Sequence, residues 1–113
     1  MTQNYLCKTS DIPPNSSKGF VLSNEDEEQV LFIVNTDDNY FAYKNFCPHT
    51  GAPLNWQPDI YLDPDNHYIQ CSIHGARFEL NSGLCVWGPC ANQSLIKINI
   101  EVKEGSIYLN EKL

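Results

Sequence analysis

Two short segments of similar form contain the residues best suited to chemistry in this sequence. The first is CPHTG at residues 47–51, and the second is CSIHG at residues 71–75. Each segment offers one thiolate and one imidazole, and both groups are common metal ligands. If the chain folds back on itself, it brings four side chains to one point: Cys47, His49, Cys71 and His74. These residue types therefore predict a metal site.

The spacing of these ligands argues against a zinc site of the usual kind. A single zinc ion with two Cys and two His usually takes like ligands in pairs, as in Cys-x2-4-Cys and His-x3-5-His. Here each pair is mixed. Only one residue separates Cys47 from His49, which hinders binding of both to one tetrahedral ion but suits two adjacent metal ions. A zinc-stabilised binding module with no redox role is the alternative interpretation.

The order Cys-x-His followed by Cys-x2-His resembles the Rieske 2Fe-2S motif. Residues 47–54 and 71–78 are similar to the ligand loops of Rieske-type ferredoxins, and residues 83–89 resemble the proline-bearing third loop of that family. By this resemblance Cys47 and Cys71 hold the inner iron of one cluster per chain, and His49 and His74 hold the outer iron. The segment between the ligand pairs is a few residues longer than in the small ferredoxins. We place that extra length around residues 58–66 and expect it to change only the surface.

The same resemblance implies a low reduction potential. High-potential Rieske proteins carry an added Cys pair in their ligand loops, and hydroxyl groups that donate to the cluster sulfurs. This sequence has Ala76 and Phe78 where those hydroxyls are expected. The resemblance therefore implies a potential toward the lower end of the Rieske range.

Composition is consistent with a soluble, acidic protein. A chain of 113 residues with 42% apolar residues predicts one domain over residues 1–113, whose metal-binding tip spans about residues 45–89. The net charge of −7 argues against nucleic acid as a partner.

Neither a leader segment nor an apolar stretch long enough for a membrane span is recognisable, so the sequence predicts a cytoplasmic protein.

Five cysteines in a chain without a recognisable secretory signal are better interpreted as thiols or ligands than as a disulfide framework. Cys7, Cys85 and Cys90 remain after the metal ligands are assigned. We interpret each of them as a small buried or half-buried apolar residue. A disulfide between Cys85 and Cys90 is the less favoured alternative.

Apolar runs and turn residues predict an all-β fold of short antiparallel strands. The predicted strands cover residues 5–8, 20–22, 30–34, 40–44, 67–70, 77–80, 84–87, 96–103 and 106–109. In residues 96–103 the apolar side chains alternate with polar ones, which predicts one strand buried on one face. The resemblance implies the Rieske fold, in which small antiparallel sheets support a cluster-binding tip made of loops.

Four further residues could contribute to packing or to the surface. Trp56 and Trp87 are interpreted as packing residues, and His67 as a residue on a strand surface. Arg77 is the only arginine, and two roles stay open for it: docking an acidic partner, or neutralising the chain's own acidic surface.

The resemblance implies an electron carrier rather than an enzyme, since no set of catalytic side chains stands beside the metal motif. Such a ferredoxin takes single electrons from a flavin-dependent NAD(P)H reductase and passes them to a terminal oxygenase. The alternative within redox chemistry is the small subunit of an assimilatory nitrite reductase, where the acceptor is a terminal reductase. In isolation we expect a monomer.

Overall fold

The computed structural model describes residues 4–23, 28–45, 61–63, 67–71, 75–88 and 93–110. Within these ranges the chain forms one 3-10 turn at Thr9–Asp11 and ten β-strands. The strands are β1 (Asn4–Lys8), β2 (Ser16–Ser23), β3 (Glu28–Thr36), β4 (Asn39–Lys44), β5 (Tyr68–Gln70), β6 (Arg77–Glu79), β7 (Cys85–Trp87), β8 (Lys97–Ile98), β9 (Ile100–Lys103) and β10 (Ser106–Leu109). The predicted all-β class is confirmed.

The strands form three small sheets, and every pairing between them is antiparallel. The central sheet has the order β2-β3-β4-β8, the terminal sheet β1-β10-β9, and the tip sheet β5-β6-β7. Residues of the central sheet pack against the terminal sheet in one core and against the tip sheet in another. Cys71, the first residue of the second segment, directly follows β5 of the tip sheet.

The unbroken apolar run in β3 is explained by burial of both its faces. Leu31 and Ile33 belong to the core shared with the terminal sheet, whereas Phe32 and Val34 belong to the core shared with the tip sheet. Successive side chains of a strand point to opposite faces. A strand covered on both sides must therefore be apolar at consecutive positions.

The predicted hairpin between β3 and β4 is confirmed. Asp37 and Asp38 occupy its turn with φ values of 52° and 63°. Two consecutive positive φ values are typical of the tight turns that match the twist of a hairpin, and Asp tolerates them better than most residues. This turn sets the register of β4, which ends at Lys44, three residues before Cys47.

The prediction of one strand over residues 96–103 is wrong. The chain breaks at Asn99 into β8, which pairs with the central sheet, and β9, which pairs with the terminal sheet. A segment that changes sheets cannot keep one face buried along its length. Ile98 is accordingly buried, whereas Ile96 and Val102 are 48% and 47% exposed.

A second difference concerns β2, which begins at Ser16 rather than at Phe20. Its polar start pairs with the end of β3, from Ser16 opposite Asn35 to Gly19 opposite Phe32. These residues have a low β-strand propensity of their own, but pairing with the buried strand β3 extends β2 through them. Across the described residues, no helix is long and apolar enough to span a membrane.

Candidate metal centre

Cys71 directly follows β5 and is completely buried. Its backbone N–H donates to the carbonyl of Ala76 at 2.8 Å, and the N–H of Gly75 donates to the carbonyl of Cys71 at 2.9 Å. Gly75 has a φ of 71°, in the left-handed region that favours glycine. These contacts fix the two ends of the ligand segment that contains His74 in the sequence.

Hydrogen bonds on both sides of β5 hold the strand that delivers Cys71. On one side β6 pairs with it in a register that places Gln70 opposite Arg77. On the other side the N–H of Gln70 donates to the carbonyl of Tyr61, and Tyr68 accepts from the N–H of Asp63, both at 2.9 Å. Residues 61–63 therefore act as a further neighbour of the tip sheet.

The expectation that the longer segment around residues 58–66 changes only the surface is wrong for its described part. Tyr61 and Asp63 are each 3% exposed. The Tyr61 ring stacks on Phe32 with a centroid distance of 4.3 Å, which joins this segment to the central sheet. The adjacent Tyr61 and Leu62 are the sequence signal that could have indicated burial.

The Asp63 carboxylate organises the entry into β5. Its Oδ1 accepts the backbone N–H of His67 at 2.8 Å and that of Tyr68 at 3.2 Å. A buried carboxylate needs such donors to compensate for its lost hydration. His67 itself is exposed, which agrees with its predicted place on the surface.

Gly88 brings the end of the third loop against the second ligand segment. A Cβ atom at Gly88 would lie 2.8 Å from the Cα of Ala76, and the φ of Gly88 is 108°. Only glycine permits both this backbone conformation and this close approach. Gly88 therefore lies directly beside Ala76, which accepts the hydrogen bond of Cys71.

Of the four predicted ligands, the structure describes only Cys71. Cys47, His49 and His74 lie outside the described residues, and so do Cys90 and Trp56. The assembly of the four ligands therefore stays a prediction.

The two other described cysteines are buried thiols, as predicted. Cys7 is 4% exposed and Cys85 is 3% exposed. The Cys85 thiol donates to the carbonyl of Trp87 at 3.4 Å. Burial raises the pKa of the Cys7 thiol to about 11, with a smaller contribution from the charge of Asp11. A thiol held neutral in this way is a poor nucleophile and a poor metal ligand.

Trp87 does not pack inside the protein, so that prediction is wrong. Its side chain is 60% exposed. The reason is its place on β7, an edge strand of the tip sheet, where the register shifts: Phe78 pairs with Cys85 and Arg77 with Trp87, so Val86 is an extra residue. This irregularity interrupts the alternation of side chains, and Val86 and Trp87 are both exposed while Cys85 is buried.

Nearly the whole chain matches a known protein family. The sequence profile of the Rieske [2Fe-2S] domain matches residues 2–104. The chain belongs to the Rieske [2Fe-2S] domain family. One Rieske-type 2Fe-2S cluster is accordingly its cofactor.

Similar proteins carry the name ferredoxin, and some of these names include a dioxygenase. Ferredoxin CarAc of Metapseudomonas resinovorans is 29% identical over 104 residues, covering 92% of this chain and 89% of the relative. The 3-phenylpropionate/cinnamic acid dioxygenase ferredoxin subunit of Photorhabdus laumondii is 26% identical over 109 residues, covering 96% and 94%. Among solved structures, a chain in the complex of reduced oxygenase and oxidized ferredoxin of carbazole 1,9a-dioxygenase is 25% identical, with a TM-score of 0.72 and coverage of 98% and 96%.

The described residues fit a Rieske cluster. Cys71 supplies a fully buried sulfur at the end of a strand fixed on both sides. Gly75 and Gly88 keep side chains away from the backbone around it, as is required where backbone amides approach cluster sulfurs. The donor set proposed from the sequence, two thiolates and two imidazoles, is the ligand set of this cofactor.

Proposed function

We propose that this chain is a Rieske-type ferredoxin that carries single electrons from a reductase to a terminal oxygenase. The observation that carries the proposal is the family match over residues 2–104, combined with a buried Cys71 at the ligand position of the tip sheet. One relative is named as a dioxygenase ferredoxin subunit and another as a ferredoxin. An electron carrier is therefore favoured over an enzyme with its own substrate, over a nitrite reductase subunit, and over a zinc-stabilised module.

For the ligands, we assign Cys47 and Cys71 to one iron and His49 and His74 to the other. The mixed spacing of the two segments supports this assignment. So does the anchoring of the second segment, because the hydrogen bonds from Cys71 to Ala76 and from Gly75 to Cys71 hold its ends at a fixed separation. When bound, the cluster would supply reversible one-electron transfer, and these four residues would hold it.

The partners that we propose are a flavin-dependent NAD(P)H reductase as donor and an oxygenase as acceptor. The solved complex of an oxygenase with a ferredoxin in carbazole 1,9a-dioxygenase supports the acceptor class. We further propose that residues 1–113 form one domain, with its metal-binding tip at about residues 45–89, which acts as a monomer in the cytoplasm.

Metal analysis of the natively expressed protein tests the cofactor. We expect two irons and two acid-labile sulfides per chain, together with the electron paramagnetic resonance spectrum of a reduced His-ligated cluster. Stoichiometric zinc in a colourless protein would contradict the proposal.

Substitution of the described cysteines tests the ligand assignment. Cys71→Ala should abolish assembly of the 2Fe-2S cluster, because the methyl group of alanine cannot bind iron. Cys85→Ala is the matched control, because Cys85 is also a buried thiol in the same core, and it should retain the full iron content. Loss of iron in both variants would mean that packing rather than ligation explains the effect.

Electron transfer itself is tested with a flavin-dependent NADH reductase and a Rieske oxygenase whose own ferredoxin has been removed. The holoprotein should be reduced by the first and reoxidised by the second, whereas the Cys71→Ala variant should be inactive. A loaded protein that no reductase of this class reduces would contradict the carrier role.

A further inference from the structure

Arg77 lies at the start of β6, beside the ligand segment, and packs on an aromatic ring. Its partner across the strand pair is Trp87 on β7. The guanidinium carbon lies 5.8 Å from the centroid of the Trp87 ring, within the range of a cation–π contact. Because the contact joins neighbouring strands, both side chains are held at one place on the tip sheet.

The Trp87 ring reaches from the edge strand to the ligand segment. A Cβ atom at Gly75 would lie 3.6 Å from Cζ3 of Trp87, which is van der Waals contact. Gly75 follows the proposed ligand His74 directly in the chain. The indole thus lies against Gly75, next in sequence to a proposed ligand, and the Arg77 guanidinium lies 5.8 Å from the centroid of that indole.

Among the described residues, the contact recorded for the Arg77 guanidinium is the one with this ring. Its Nε is buried and has no hydrogen-bond partner among the described residues. The nearest acidic residue along β6 is Glu79, whose Oε1 already accepts the hydroxyl of Ser82 at 2.6 Å. A partly desolvated cation of this kind acts more strongly on its surroundings than a fully hydrated one.

We propose that Arg77 raises the midpoint potential of the bound cluster and that Trp87 is the positioning residue that keeps its guanidinium beside the ligand segment. The inference rests on the proposed function, because it requires the cluster at Cys71 and His74. Reduction by the donor adds one electron and so one negative charge to the cluster. In a chain with a net charge of −7, the only arginine would then offset part of the repulsion that opposes this electron.

The main test compares midpoint potentials of the full-length holoprotein and two variants at Arg77. Arg77→Gln should lower the midpoint potential, because the positive charge is lost. The equilibrium constant for reduction of the cluster should fall several-fold. Arg77→Lys keeps the charge and should retain most of the potential. Added salt should shrink the difference between Arg77→Gln and the unmodified protein. Equal potentials for the fully loaded unmodified protein and Arg77→Gln would overturn the inference.

Variants at Trp87 test the positioning role. Trp87→Ala should lower the midpoint potential, because it frees the Arg77 guanidinium to move into solvent. Trp87→Phe keeps an aromatic ring and should have a midpoint potential close to that of the unmodified protein. In an Arg77→Gln background, Trp87→Ala should add no further decrease. Val86→Ala is the matched control, since Val86 is a 44% exposed neighbour on the same strand, and its potential should not change. A decrease for Trp87→Ala that is equally large in both backgrounds would contradict the role.

Two further readouts separate this inference from the proposed function. Iron and sulfide content comes first: an unmodified protein that binds no cluster contradicts the proposed function, whereas full loading with unaltered potentials contradicts only the inference. Trp87 fluorescence in a Trp56→Phe background needs no cluster. Arg77→Gln should change its emission, because the cation leaves the ring face, and unchanged emission would overturn the contact.

Discussion

At the scale of single residues, two described side chains that share the core with Cys71, those of Ala76 and Phe78, offer no hydrogen-bond donor to a cluster. Ala76 is 1% exposed and Phe78 is fully buried, and neither carries a hydroxyl. Donors to the sulfurs stabilise the reduced state and raise the potential. We therefore expect a midpoint potential near the lower end of the Rieske range, at about −150 mV rather than +300 mV. Protein-film voltammetry provides the measurement, and a value well above zero would contradict the expectation.

Two buried titratable side chains give a second prediction at the residue scale, a loss of stability in alkali. Burial raises the pKa of Cys7 from 9.0 to about 11 and that of Tyr43 from 10.0 to about 12. Because each pKa is higher in the folded state, each group contributes stability below its unfolded pKa and loses it as pH rises through the folded value. The free energy of unfolding should therefore begin to fall above about pH 9, first through Cys7.

Urea unfolding at pH 8 and pH 10 measures this effect. Two pKa units correspond to at most about 2.7 kcal/mol per group. Cys7→Ala removes the first of the two groups, so its free energy of unfolding should fall less between these two pH values than that of the unmodified protein. If the variant and the unmodified protein lose the same amount, the decline comes from other groups.

At the scale of elements, the close approach of the third loop to the ligand segment gives a further prediction. Gly88→Ala would place a Cβ atom 2.8 Å from the Cα of Ala76, which is backbone and cannot swing away. The third loop must then move off the ligand segment. We expect lower iron retention and a faster loss of the cluster to a chelator, measured by the decay of visible absorbance.

Gly105→Ala is the matched control for the third loop. Gly105 also has a positive φ, 76°, but a Cβ atom added there would meet no atom within 4 Å. It should therefore show only the conformational cost of about 1–2 kcal/mol, with normal cluster retention. If Gly88→Ala and Gly105→Ala retained the cluster equally well, the contact with Ala76 would have no role in holding it.

The elements also show how far the sequence alone predicts this fold. The hairpins around Asp38 and Gly105 were predictable, because turn residues and flanking apolar runs are local signals. The break at Asn99 was not, because residues 96–103 alternate as one strand would and only the pairing partners divide them. Burial of Tyr61 depends likewise on a distant ring, that of Phe32. Among the site residues, the ligand spacing predicts Cys71 as a ligand, which stays a prediction, whereas the exposure of Trp87 depended on β7 being an edge strand.

At the scale of the whole molecule, the two cores differ in their dependence on the cofactor. One core joins the central and terminal sheets; among the described residues it contains Ile33, Ile98 and Ile107 but not Cys71. The other joins the central and tip sheets and contains Cys71. Binding of a metal centre contributes folding free energy only to the structure that its ligands hold together. Removal of the cluster should therefore weaken the tip sheet selectively.

Amide hydrogen exchange of the holoprotein and of the chelator-treated apoprotein tests this difference. After removal of the cluster we expect a large loss of protection in β5 to β7, because the three short strands lose the ligand that fixes their Cys71 end. Amides of β9 and β10, in the terminal sheet, should keep protection close to that of the holoprotein. The Cys85→Ala holoprotein serves as the control for altered packing in the same core. Uniform loss across all three sheets would mean that the molecule unfolds as one unit, and no loss anywhere would mean that packing alone maintains the tip.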